Sequence, residues 1–202
     1  IKLSFVNIFK IKNIDINLSH SDYTFKILKL KKINSYQLHD YIRDEYHKAS
    51  KNILIKNKKN FICYNPSKSS IFFERFMKLN SDLNFIPLIN LNLKQIIYTL
   101  SKSKIYIDFG FHPGKDHLPR EAAILKNCII TNKEGSASLM YNDVPINNEF
   151  KFIEKKENFF KIRKKIDKIF NTFPKELNKF KSYRKTLYLE EKKFTNQIDK
   201  NF

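Results

Sequence analysis

From Asn60 onward the chain alternates short unbroken apolar runs with longer stretches in which apolar residues return every three or four positions. FICY (61–64), NFIPLI (84–89), KIYIDF (104–109) and NCIITN (127–132) are of the first kind and read as strands. IFFERFMKL (71–79), LKQIIYTLSKS (93–103) and HLPREAAILK (117–126) carry the helical period. Strands separated by helices predict βαβ units and a parallel sheet. After Phe150, KFIEKK (151–156) reads as a last short strand and NFFKIRKKIDKIF (158–170) as a helix. Pro174 interrupts, and residues 175–194 read as one long, amphipathic, very basic helix.

The first sixty residues hold no glycine or proline to punctuate them. LSFVNIF (3–9) is strand-like, and YTFKILKL (23–30) and YQLHDYIRDEYHKA (36–49) are helix-like. The Lys/Asn-rich run KNKKN (56–60) is the expected boundary. The fold class expected is therefore α/β, a Rossmann-like parallel sheet with flanking helices and a long basic C-terminal helix. The expected domains are 1–59, an amino-terminal segment that is the remnant or edge of a preceding domain; 60–172, the Rossmann-like domain; and 173–202, the terminal helix.

Composition narrows the class. In 202 residues, 42% hydrophobic content with 19 Phe and 10 Tyr supplies one real core and excludes disorder of the whole chain. No run approaches the roughly 20 apolar residues of a bilayer-spanning helix, and no signal-peptide pattern opens the chain. The first residue is Ile1, which leaves open that the chain is a piece of something longer. Cys63 and Cys128 each sit inside an apolar run, as buried thiols do. A structural zinc site wants about four clustered ligands, so no metal is expected and a reducing, cytoplasmic compartment fits best.

The net charge of +19 invites a nucleic-acid or anionic-membrane reading. Only five of the 39 basic residues are arginine, however, and Lys, Asn, Ile and Phe are inflated together, as an A+T-rich coding bias would produce. Residues 151–202 carry 16 basic and 7 acidic side chains interleaved with Phe and Ile at helical spacing, which reads first as the solvated face of packed helices. Nucleic acid is thus the weaker partner, and peripheral membrane contact stays open.

All three glycines, Gly110, Gly114 and Gly135, fall just after the last two strands, where a parallel α/β sheet binds its ligands. The densest chemistry is DFGFHPGKDHLPREAA (108–123). Pro119 suits a first helical turn, whose free N–H groups and positive dipole end favour anions. Lys115 and Arg120 add positive charge there, and Glu121 offers a carboxylate for vicinal hydroxyls such as a ribose presents. His112 is read either as a contact to a donor sugar or as a loop histidine bonded to backbone, and Asp108 as a residue holding the loop through backbone N–H groups in preference to a catalytic one. NKEGSAS (132–138) brings Gly135 and Ser136 at an expected helix start, and YNPSKSS (64–70) brings Lys68. Three loops at one sheet edge, each compatible with phosphate, make the argument together.

The run from KIYIDFG through PREAAILKNCIITN to EGSAS resembles the carboxyl-terminal, donor-binding half of glycosyltransferases of the B-type fold. With YNPSK, IPL, YIDFGFHPGKD and DVPI it is similar to a poorly characterised bacterial group associated with surface polysaccharide genes. The similarity spans roughly 60–152, with a weaker echo at LSHSDYTFKIL (18–28). It implies that Glu121 binds the ribose of a nucleotide-sugar donor, that Lys68 contacts the diphosphate, and that Gly135 with Ser136 forms the glycine-rich turn after the next strand. The first Glu of the family's paired pattern is Pro113 here, so its task would pass to His112 or Lys115, or lapse. The resemblance implies no further cofactor, a saccharide or other acceptor, and an opposing amino-terminal domain from which the acceptor site and often the base come; no catalytic base is identifiable in this sequence. Three readings are therefore carried forward: the donor half of a transferase, a binding module that transfers nothing, and, last, a nucleic-acid-binding protein.

Overall fold

The computed structural model describes residues 14–201, so the strand expected at 3–9 lies outside the described residues. Five strands form one all-parallel sheet in the order β4–β3–β5–β6–β7: β3 Lys59–Tyr64, β4 Asn84–Pro87, β5 Ser103–Asp108, β6 Cys128–Asn132 and β7 Lys151–Phe152. The α/β class and the flanked parallel sheet are as the hydrophobic pattern predicts. β5 and β6 are buried along almost their whole length, which is why they read as unbroken apolar runs.

The first five helices are α1 Asp22–Leu30, α2 Asp44–Lys51, α3 Ile71–Leu79, α4 Leu93–Lys102 and α5 His117–Ile124. α6 Phe159–Asn171, α7 Phe173–Asn178, α8 Lys181–Leu187 and α9 Glu190–Asn201 complete the chain. Phe72, Phe76 and Phe159 join α3 to α6 on one side of the sheet, while α2, α4, α5 and α8 pack together on the other. Ile62, Phe73, Leu100, Ile105, Ile107, Ile129 and Ile166 are fully buried at the centre. No helix among the described residues is long and apolar enough to cross a membrane.

Two expected helices are corrected. Within 36–49, Tyr36–Gln37 instead pairs in parallel with β1 Leu18–Ser19 as strand β2, and the helix begins only at Asp44. The intervening stretch is held open by distant partners, with His39 on Gln197 and Asp40 on Arg120. The basic terminal helix is three pieces, ended at Asn178 and Leu187 by tightened bonds such as Lys179 N–H to Glu176 C=O and Leu189 N–H to Thr186 C=O. The expected last strand at 151–156 shortens to Lys151–Phe152, and the helix expected after Gly135 is a single 3₁₀ turn, Gly135–Ala137.

The small β1–α1–β2 unit is fastened to the main sheet by Asp143, in the loop after β6. Its carboxylate accepts Asp22 N–H at 2.8 Å and Tyr23 N–H at 2.9 Å, capping the amino end of α1. The lysine-rich run at 56–60 leads directly into β3, with Lys58 buried beneath the sheet.

Candidate functional site

The strand order itself locates a cleft. The chain steps from β3 outward to β4, then returns past β3 to β5, so the loops after β3 and β5 part in opposite directions. At such a switch point the carboxyl ends of the two strands leave a crevice, the usual ligand site of open α/β sheets. Here a cleft of about 210 Å³ lies there, lined by Asn65, Lys68, Tyr106, Asp108, Asp116, His117, Leu118 and Pro119.

The loops around it are locked to one another at the glycines. A side chain at Gly110 would collide with the Lys68 carbonyl, and Ser70 N–H donates to Phe109 C=O at 3.1 Å, so the β3 and β5 loops touch backbone to backbone. Gly135 lies at φ +56°, a left-handed conformation natural to glycine, and a Cβ there would strike the His112 carbonyl. Ser136 N–H donates to that same carbonyl at 2.9 Å, and its hydroxyl donates to Gly114 C=O. A Cβ on Gly114 would meet the ring of His20, from the β1–α1 loop. Close approach between loops is therefore what these glycines permit.

Lys68, Asp108 and Asp116 line the cleft, and the buried His112 stands behind them. Asp108 ends β5 and accepts a hydrogen bond from Tyr106 Oη at 3.1 Å, two residues back on the same face of the strand. That contact takes the place of the backbone bonds expected of Asp108. Burial pushes its carboxyl above the usual carboxylate range. His112 is fully buried, and its Nδ1–H donates to Asp116 Oδ2 at 2.7 Å. Its Nε2 has no hydrogen-bond partner among the described residues and faces Asp108 Oδ1 at 3.8 Å. Lys68 Nζ donates to the other Asp116 oxygen, Oδ1, at 2.6 Å. Burial alone would raise the Asp116 carboxyl, but the bonds from His112 and Lys68 outweigh it and hold the group below the usual range, hence ionised.

The other expected residues stand around this centre with partners of their own. Arg120 is buried; its Nη2 donates to both Asp40 carboxylate oxygens at 2.9 Å each, and its Nη1 donates to Glu190 Oε2 at 3.0 Å. Lys115 pairs with the other oxygen of Glu190; burial lowers its pKa while Glu190 partly restores it. Glu121, one residue beyond Arg120, is pushed up by burial and accepts from the Tyr46 hydroxyl of α2, which partly offsets the rise. His117 lies 3.1 Å from Asp40 through Nε2, and that contact raises its pKa. The structure thus brings Lys68 and His112 together with Asp108 and Asp116, and sets Gly110, Gly135 and Ser136 as their loop contacts. It turns Lys115, Arg120 and Glu121 toward α9, Asp40 and α2.

Sequence reasoning passed over Asp116, Tyr46, Asp40 and Glu190. Asp116 stands just before HLP, where an acidic residue reads as an ordinary helix cap, while the other three lie 70 or more residues from the groups they pair with in α5. As for metals, Asp108, His112 and Asp116 bring three potential ligand atoms within 4.8 Å, as do Asp22, His39 and Asp143. In both groups a carboxylate is already engaged, by Lys68 in the first and by the α1 N–H groups in the second.

The flanked parallel sheet with its cleft at the switch point defines a Rossmann-like α/β domain. In particular, the fold is similar to that of a TarM mutant from S. aureus, in a crystal structure with fondaparinux, alpha-GlcNAc-glycerol and UDP. The TM-score is 0.67 at 12% identity, over 96% of this chain and 44% of that one. The chain therefore spans less than half the length of that neighbour, and at this identity the likeness is one of fold. No protein-family model and no curated protein matches the sequence.

Proposed function

We propose that this chain is the donor-binding half of a glycosyltransferase, which binds a nucleotide sugar and takes part in transferring the sugar to an acceptor in surface polysaccharide assembly. The observation that carries the reading is Lys68, a partly exposed ammonium on the wall of a cleft at the sheet's switch point, beside the amino end of α5. Transfer requires stabilisation of the diphosphate as it departs, and a fixed cation with helix N–H groups supplies that stabilisation without reorganising. The cleft is smaller than the roughly 300–1,000 Å³ of complete ligand pockets, which suits the diphosphate portion of a donor whose remainder lies across an open rim. In this reading Glu121, oriented by Tyr46, takes the ribose hydroxyls, and His112 stands behind the diphosphate.

The neighbour of like fold was crystallised with UDP and saccharides, which agrees with a nucleotide-sugar donor and a saccharide acceptor. A chain spanning under half of that neighbour also agrees with a base and acceptor site contributed by another domain. Two buried free thiols suit a reducing, cytoplasmic setting. Pro113 at the place of the family's first Glu favours a second reading, a domain that holds the nucleotide and transfers nothing.

A thermal-shift panel of UDP, GDP, ADP, CMP and their sugar conjugates, on wild type and Lys68→Met, tests the shared core of both. Stabilisation by one nucleotide family that the variant loses is expected, because a ligand bound only by the folded state raises its stability. A folded wild type indifferent to the whole panel would overturn the proposal. Turnover of the conjugate in the presence of an acceptor extract, against none, separates transferase from binding module.

A further inference from the structure

We propose that the seat between Lys68 Nζ and His112 Nδ1, filled here by the protein's own Asp116 carboxylate, is a phosphoryl-binding site in which an incoming diphosphate replaces that carboxylate. The source of the diphosphate, a nucleotide, rests on the reading above; the seat itself rests on geometry alone.

Asp116 has the backbone of a helix cap, φ −62° and ψ 141°, immediately before α5, yet its side chain caps nothing. A capping carboxylate bonds the N–H of the second or third helical residue; the third is Pro119, which has none, so only Leu118 N–H is left to cap, and the side chain does not take it. The side chain instead turns to the cleft, where its two oxygens are taken separately by Lys68 at 2.6 Å and His112 at 2.7 Å. Two oxygens on one centre, each met by a nitrogen donor, is also how a phosphoryl group is held, at higher charge.

Of the three basic side chains first expected to meet phosphate, Lys68 alone lines the cleft; Lys115 and Arg120 are tied to Glu190 and Asp40 away from it. Exchange, rather than addition, follows from the charges. Asp108 lines the same cleft, buried and hydrogen-bonded by Tyr106, so a phosphoryl group added beside both aspartates would face two carboxylates with one lysine between them. Moving Asp116 aside removes one of those repulsions and frees the lysine in the same motion. His112 can stay where it is, fixed by the Ser136 bond to its carbonyl. Asp116 thereby sets the demand on the ligand: a group with too little charge to outcompete a carboxylate does not enter.

Isothermal titration with inorganic pyrophosphate, UDP and uridine, at one fixed ionic strength, on wild type, Asp116→Asn, Asp116→Ala and the double variant Lys68→Met/Asp116→Asn provides the test. Both Asp116 variants are expected to bind pyrophosphate and UDP at least tenfold more tightly than wild type, with uridine unchanged and the gain absent from the double variant. Equal or weaker pyrophosphate binding by both folded Asp116 variants would sink the exchange, and so would a failure of every protein to bind it. Tighter pyrophosphate binding together with silence across the UDP, GDP, ADP and CMP thermal-shift panel would keep the seat and remove the nucleotide-sugar reading. Nucleotide binding that Asp116→Asn leaves unimproved would do the reverse.

Discussion

Two lysines at opposite edges of the same sheet show how differently one residue type can be used. Lys58, just before β3 at the amino edge, is buried, and its Nζ donates to Leu100 C=O at 3.0 Å and Ser103 C=O at 2.6 Å. No carboxylate among the described residues pairs with it, and burial pushes its pKa down to about 7. A third, longer contact reaches Asn127 Oδ1 at 3.5 Å, so all three acceptors are uncharged groups of the scaffold. Lys68, just past β3 at the carboxyl edge, meets a carboxylate at a cleft and keeps 29% of its side chain exposed. The lesson is about partners. A lysine whose every partner is an uncharged group of the scaffold is part of the scaffold, whereas one held by a single short carboxylate at a switch point can change partners.

The sharpest way to break that contrast is to remove each lysine in turn. Lys68→Met is expected to abolish pyrophosphate and nucleotide stabilisation, a loss of a hundredfold or more in affinity, while costing under about 1 kcal/mol of stability, since its ion pair is partly solvent-screened. Lys58→Met is expected to leave affinity unchanged. Its effect lies in the pH dependence. With the folded pKa near 7 and the unfolded one at the ordinary lysine value, the unfolded chain binds more protons between them. Stability therefore rises with pH across that window, by roughly 1.4 kcal/mol per unit where the difference is complete and about 2.5 kcal/mol between pH 7 and 9. Urea unfolding of wild type against Lys58→Met at several pH values reads this directly; parallel curves would show that Lys58 stays charged in the fold.

Gly135→Ala attacks the carboxyl edge alone. The left-handed backbone and the collision with the His112 carbonyl together should cost about 2 kcal/mol and displace His112, weakening pyrophosphate binding several-fold. Calorimetric unfolding and the same titration check both parts. An alanine variant as stable as wild type would mean that the two loops are not locked as described.

The two edges also differ in how far the sequence discloses them. β5 and β6 could be read because both their faces are apolar, and the three glycines marked the loops because only close approach or a left-handed turn calls for them in so glycine-poor a chain. The placement of Lys68 followed from its position just after a strand. The charges of 115–121 were visible but their directions were not: Glu190 and Asp40, 70 and 80 residues from Arg120, have no local signal that ties them to it. The same non-local pairing holds 38–43 open where its periodicity predicts a helix. Asp116 was hidden for the opposite reason, since its local pattern has a sufficient ordinary explanation as a cap. Pro119 was on view and removes one of the two donors such a cap would use, but that Asp116 turns to Lys68 and His112 instead shows only in the fold.

The smallest expected effect separates Lys68 from its nearest rival for an anion, Arg120. Burial would raise the Asp40 carboxyl, but His117 and Arg120 hold it at about 2. A carboxylate depressed in the fold contributes stability that is complete above the ordinary aspartate pKa and is lost as pH falls through the folded value, so the loss belongs between about pH 4 and 2. Because Asp40 is a third exposed, screening limits the contribution to about 1 kcal/mol. Asp40→Asn should remove that much at pH 7 and flatten the acid limb, as seen in urea unfolding against pH. It should leave pyrophosphate affinity where it was, because Glu190 still holds the Arg120 guanidinium at 3.0 Å, away from the cleft. A tenfold tightening in Asp40→Asn, matching that of Asp116→Asn, would place the anion at Arg120 and make the contrast between the two lysines irrelevant to binding.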